Sequence, residues 1–179
     1  MLQDKYLPQY HFSEKHGIEI HRTPAAIYQL IHEFDFSGSV IIRTLFKLRG
    51  LTNGKNVDRG FLREHFVELE NNLNNELILG LVGQFWKPNG NLQKVTPAEF
   101  VSFHRPGFLK ATWNFALIQK EPNLSLLETE TRIYCMDTKA HTLFSRYWFF
   151  IRPFSGLIRK EMLRGVKKKA EEKIIDNTF

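Results

Sequence analysis

The chain has 179 residues, 42% hydrophobic and 25% charged, with 16 phenylalanines and a formal net charge of +6. That length suits one domain over 1–179 with a sizeable core, and the composition excludes a disordered or fibrous chain. The lone Cys135 excludes an intramolecular disulfide, and no apolar run approaches the roughly 18 residues that span a bilayer.

The first residues, Met1-Leu2-Gln3-Asp4-Lys5, lack the basic stretch and apolar run of a secretory leader. A reducing, cytoplasmic setting is therefore expected, in which the sequon Asn123-Leu124-Ser125 has no role. Residues 9–21 alternate, with Tyr10, Phe12, Ile18 and Ile20 on one face, and predict a half-buried strand. Glu14 and His16 fall on that same inward face. Thr23 followed by Pro24 is a helix start, a capping hydroxyl before a proline at the first helical position. Ile27, Leu30, Ile31 and Phe34 follow at helical spacing, and a second short helix is expected over 37–50, closed by Gly50.

Residues 51–63 hold Asn53, Gly54, Asp58 and Gly60 without a steady period and read as a long, lid-like connection. Strands are expected at 65–71, 76–87, 99–105, 109–120 and 124–136, separated by short Pro-, Gly- and Asn-containing breaks that imply antiparallel neighbours. Ala111, Trp113, Phe115 and Leu117 share one side of their strand, and Leu127, Thr129, Thr131, Ile133 and Cys135 share one side of theirs. Glu128, Glu130 and Arg132 point away from it, toward solvent. Gly80 and Gly83 interrupt an otherwise apolar strand, as happens where a sheet bends or another backbone comes close.

The closing region predicts two helical pieces. Asp137 or Thr138 caps the first, Pro153 interrupts it, and Ser155 restarts a helix to Lys173, about 28 Å long at 1.5 Å per residue. Ile158, Met162, Val166 and Ala170 recur every fourth residue and should face the sheet, with Arg159, Lys160 and Lys167 exposed. From position 139 onward there are ten Lys and Arg against four Asp and Glu, 10 − 4 = +6, so the whole excess of charge sits here. Lys167, Lys168, Lys169 and Lys173 suit a helix C-terminus and are expected to form a solvated face, with no nucleic-acid partner.

This order of elements, with the stretches ELILGLVGQFW at 76–86, TETR at 129–132 and YWFFIRPFSGLIRKEM at 147–162, resembles the START-like superfamily. These are the helix-grip proteins that include polyketide cyclases and lipid-transfer domains. The likeness runs from Tyr10 to Glu172 and is to a subgroup without an assigned activity. It implies an α+β fold in which a curved antiparallel sheet of six or seven strands grips a long C-terminal helix, with two short helices after the first strand. It implies a cavity between sheet and helix, and no catalytic signature comes with it.

Strong motifs for metalloprotease, zinc, hydrolase-elbow and nucleotide-binding chemistry are absent. Seven histidines are scattered without local metal-site spacing, so neither metal nor cofactor is expected. Glu14 and His16 read as an acid–base pair or as a hydrogen-bonded interior pair, and Thr129 and Thr131 as ligand contacts or as ordinary β-formers. The expected partner is a small hydrophobic molecule, lipid-, sterol- or polyketide-like. Its cavity is assigned to Trp113, Phe115, Thr129, Thr131, His16, Leu157, Ile158 and Met162, with 51–63 at the entrance. The alternatives are a cyclase or dehydratase in the same cavity with His16 or Glu14 as base, and an interaction module acting through the basic helix.

Overall fold

The computed structural model describes residues 1–33, 66–88 and 90–175. Its elements are α1 (Leu2–Tyr6), β1 (Phe12–Ile20), α2 (Pro24–Glu33), β2 (Val67–Asn72), β3 (Glu76–Gly83), α3 (Pro97–Ser102), β4 (Leu109–Glu121), β5 (Leu124–Cys135) and α4 (Thr138–Ile175). The strands form one antiparallel sheet in the order β1-β5-β4-β3-β2, and α4 runs across its inner face. This α+β arrangement is consistent with the helix grip. The expected helix over 37–50 and the lid at 51–63 lie outside the described residues.

Among the described residues the sheet has five strands, not six or seven. The strand expected at 99–105 is the helix α3. Thr96-Pro97-Ala98-Glu99 explains the difference: Thr96 Oγ1 accepts the Glu99 N–H at 3.3 Å, and Glu99 Oε2 accepts the Thr96 N–H at 2.7 Å. This reciprocal capping box, with proline at the first helical position, outweighs the β preference of Phe100, Val101 and Phe103. Phe100 then buries fully against the bare backbone of Gly80, where a Cβ would lie 2.9 Å from its ring.

The closing region is one helix of 38 residues, with Pro153 inside it. Proline removes its own N–H and leaves the carbonyl four residues earlier, that of Phe149, without an intrahelical partner. Both residues lie on the solvent side, where water can satisfy that carbonyl, while Trp148 and Ser155 are buried on either side of the break. Asp137 caps the helix: Oδ1 accepts the Ala140 N–H at 2.7 Å and Oδ2 accepts the Gly107 N–H. Those backbone N–H groups hold its carboxyl below the usual range.

Two apolar clusters fill the space between sheet and α4. One joins Ile20, Leu77, Phe115, Leu117 and Leu127 to Met162, Leu163, Val166 and Ala170, with Ile27, Tyr28 and Leu30 of α2 closing its side. The other packs Leu109, Ala111, Ile133 and Cys135 against Ala140, Phe144 and Trp148. Each buried side chain of leucine size contributes about 1.5–3 kcal/mol, so these two contacts hold the helix down at both ends.

The outer face of β4 and β5 is not wet, contrary to expectation. Glu130 and Arg132 are buried there with Thr112, Asn114 and Glu76. The cover is α1, a five-residue helix that no periodicity in the sequence announces. Gln3 Nε2 donates to the Glu130 carbonyl at 2.8 Å, Thr112 Oγ1 donates to Gln3 Oε1 at 2.5 Å, and the Leu2 N–H reaches Glu76 Oε2 at 2.9 Å. Arg132 bridges Glu130 at 2.9 Å and Asp4 at 2.7 Å. Among the described residues no buried side-chain N or O atom lacks a partner, as a buried polar layer requires.

Candidate functional site

Between the two apolar clusters the sheet–helix interface turns polar, and the sheet register shows how. Glu14 pairs with Thr131, Thr131 with Trp113, and Trp113 with Leu79, making one rung across four strands. The adjoining rung is His16, Thr129, Phe115 and Leu77. Strand alternation sends all eight side chains to the inner face. Five of the eight expected cavity residues, His16, Thr129, Thr131, Trp113 and Phe115, therefore meet in two neighbouring rungs. Each rung is polar at the β1 end and apolar at the β3 end.

The helix adds what the sequence reading lacked. Arg159, expected in solvent, is buried. Its Nη1 donates to Ser155 Oγ at 2.7 Å and to Glu14 Oε2 at 3.3 Å; its Nε and Nη2 donate to Thr131 Oγ1 at 3.2 and 2.7 Å. The other Glu14 oxygen lies 3.0 Å from His16 Nε2. A carboxylate oxygen can only accept, so Nε2 is the donor in that pair. Gly156 makes this approach possible, because a Cβ there would collide with Glu14 Oε1.

Burial of the cluster is incomplete. The side chains of Glu14 and His16 are 11% and 17% exposed. Among the described residues His16 Nδ1 has no hydrogen-bond partner. An imidazole with one nitrogen held by a carboxylate and the other available can accept a proton from a bound molecule, and the adjacent guanidinium can stabilise a developing oxyanion. Thr129 is more committed: its Oγ1 accepts from Trp113 Nε1 at 2.7 Å and donates to the Asn114 carbonyl at 2.7 Å.

The remaining expected residues divide. Met162 is buried against the sheet and Ile158 packs at its margin, whereas Leu157 is 40% exposed on the opposite side of the helix. A helical advance of 100° per residue separates Leu157 from the stripe Ser155, Arg159, Met162, Val166, which faces the sheet. Cys135 is a buried packing residue, its thiol pushed up to about 12 by burial and by nearby Asp137. Among the described residues no three His, Cys, Asp or Glu side chains converge as metal ligands.

No family model matches the sequence, and no curated protein matches it. Among solved structures, the chain aligns over 90% of its length with the di-domain aromatase/cyclase BexL of the BE-7585A biosynthetic pathway, at 11% identity and a TM-score of 0.34. It spans 47% of that protein. It aligns over 91% of its length, and 95% of the other chain, with the Zhui aromatase/cyclase from Streptomyces sp. R1128, at 9% identity and a TM-score of 0.35. At these values the likeness bears on neither substrate nor catalytic residues.

Proposed function

We propose that the chain, as a single START-like domain, binds a small molecule with an apolar body and one oxygenated end against the inner face of its sheet. Lipid-, sterol- and polyketide-like molecules have that form. The observation that carries this reading is the gradient along the rung Glu14–Thr131–Trp113–Leu79. At its apolar end Leu79, Leu81 and Trp113 stay half-buried although they face inward, while Leu77, Ala111 and Phe115 beside them are buried. A surface that is unsealed at its apolar centre and bordered by a guanidinium, an imidazole and a carboxylate suits an amphipathic ligand. Arg159 and His16 take the oxygen; Trp113, Leu79 and Ile158 take the body.

The test uses anilinonaphthalene sulfonate, an apolar dye with one anionic end, together with native mass spectrometry of gently purified protein for a co-purified molecule. Stoichiometric dye binding is expected, weakened about tenfold in Arg159→Met and abolished in Leu79→Trp, which covers that half-buried apolar surface. Dye binding indifferent to both substitutions would overturn the reading.

A second reading is favoured by the available Nδ1 of His16: proton abstraction from a bound carbonyl compound, as in a cyclisation or dehydration. Turnover of a β-diketone lost in His16→Ala with dye binding retained would establish it.

A further inference from the structure

The side of α4 that faces away from the sheet carries an aromatic patch that the fold does not use. Phe149 is 79% exposed, Phe150 69%, Phe154 42% and Leu157 40%. Phenylalanine ranks among the residues most often buried, and single exposed apolar residues need no explanation, but four adjoining ones do. Phe150, Phe154 and Leu157 follow each other at intervals of four and three, so they share one stripe, with Phe149 beside it. Phe149 and Phe150 stand edge to face, ring centroids 5.4 Å apart.

Cations surround this patch. Arg146 precedes it by one turn and Lys160 and Arg164 follow it on the same side, while Arg152 is turned toward the sheet side of the helix, all four exposed. The only acidic residue of the helix between 146 and 164 is Glu161, held by Arg164 at 2.6 Å, so the exposed charge of this stretch is 4 − 1 = +3. From Arg146 to Arg164 the stripe is about 27 Å long.

We propose that this outer face of α4 docks on the surface of an anionic lipid bilayer. The charge complementarity selects the occupant. Such a surface presents negative headgroups above an apolar layer, and this stripe presents cations at both ends of a protruding apolar centre. A nucleic-acid duplex would pair the cations with phosphates and leave Phe149, Phe150 and Phe154 in water. A second copy of the same face would oppose like charges. Among the described residues no helix is long and apolar enough to cross a membrane, so the contact is peripheral, with α4 lying in the plane of the surface.

The experiment is co-sedimentation of the full chain with phosphatidylcholine vesicles, with and without a roughly one-third share of phosphatidylserine. The chain should partition onto the anionic vesicles and release as salt rises. Phe149→Ser with Phe150→Ser should weaken binding by about tenfold or more. Arg146→Gln, Lys160→Gln and Arg164→Gln together should weaken it roughly 100-fold, at about a factor of five per charge, and flatten the salt dependence. All five positions are exposed, so thermal midpoints should hold, and either variant set can decide if the other fails to fold. Absence of vesicle binding, or equal binding to neutral vesicles, would overturn the proposal. So would a dimer in sedimentation velocity that the phenylalanine variant dissolves without any vesicle binding, or tighter retention on duplex DNA than on anionic vesicles.

Discussion

The two faces of the sheet each carry a buried arginine between carboxylates and hydroxyls, yet they are built differently. On the outer face Arg132 is closed in by Glu130, Asp4 and the Leu7 carbonyl, under a helix whose Gln3 is itself fully buried. Asn114, Glu76 and Thr112 complete a network that ends on backbone groups. On the inner face Arg159 is likewise satisfied, but its neighbours Glu14 and His16 keep some exposure and Leu79, Leu81 and Trp113 beside them are unsealed. Burying ions is a weak route to stability compared with apolar packing of the same volume. The closed network therefore reads as a latch for α1, and the open one as a surface prepared for something else.

The largest effect should come from the latch. Arg132→Met leaves the Glu130 carboxylate buried without its partner and should cost about 3–5 kcal/mol in urea unfolding. Adding Glu130→Leu should restore much of that loss, since an apolar pair removes the uncompensated charge. The matching change on the inner face, Arg159→Met, should cost about 1–2 kcal/mol, because Glu14 keeps His16 and some contact with water. Equal losses at the two arginines would mean that both faces are latches and would remove the distinction.

The smallest effects are titrations. The Arg132 hydrogen bond holds the exposed Asp4 carboxyl below its usual 3.8. Its contribution is fully present above that value and is lost as pH falls through the lower, folded one. At the end of β5 His11 Nδ1 accepts the Cys135 N–H at 3.0 Å, a bond that an imidazolium protonated at that nitrogen cannot make. Burial, and then the nearby His141, push His11 below its usual 6.5. The unfolded chain binds the extra proton first, so this stability is complete above 6.5 and declines as pH falls toward the depressed value. His11→Asn keeps an acceptor and loses the titration; the stability of that variant should fall less steeply as pH drops below 6.5.

The alternation of β1 and β5 was enough to place Glu14, His16, Thr129 and Thr131 on one face, because a period of two fixes direction whatever the partner strand is. Register was not legible, and register is what turns four residues into two rungs. Arg159 was misplaced for two reasons. Its charge argues for solvent, and the every-fourth-residue stripe from Ile158 drifts by about 40° per step. The intervals four, three and four through Ser155, Arg159, Met162 and Val166 keep a straighter line, which becomes visible once a carboxylate faces the helix. The strand expected at 99–105 failed where Thr96-Pro97 repeats the same start signal that correctly gave α2 at Thr23-Pro24. A side-chain reading of strands 109–120 and 124–136 could not show that Glu130 and Arg132 are covered, since the cover comes from residues more than a hundred positions away.

That distance has a kinetic consequence for the ribosome-bound chain. Gln3 binds the carbonyl of Glu130, and Asp4 binds Arg132, across sequence separations of 127 and 128 residues. Although α1 precedes β5 and has partners in Glu76 of β3 and Thr112 of β4, it cannot complete its docking until β5 has emerged, and closing so long a loop belongs to the slow class of folding events. Until then the outer-face carboxylates, amides and hydroxyls of β3, β4 and β5 remain hydrated. Polarity on that face keeps the growing sheet from presenting a second greasy surface while it waits for α1 to return.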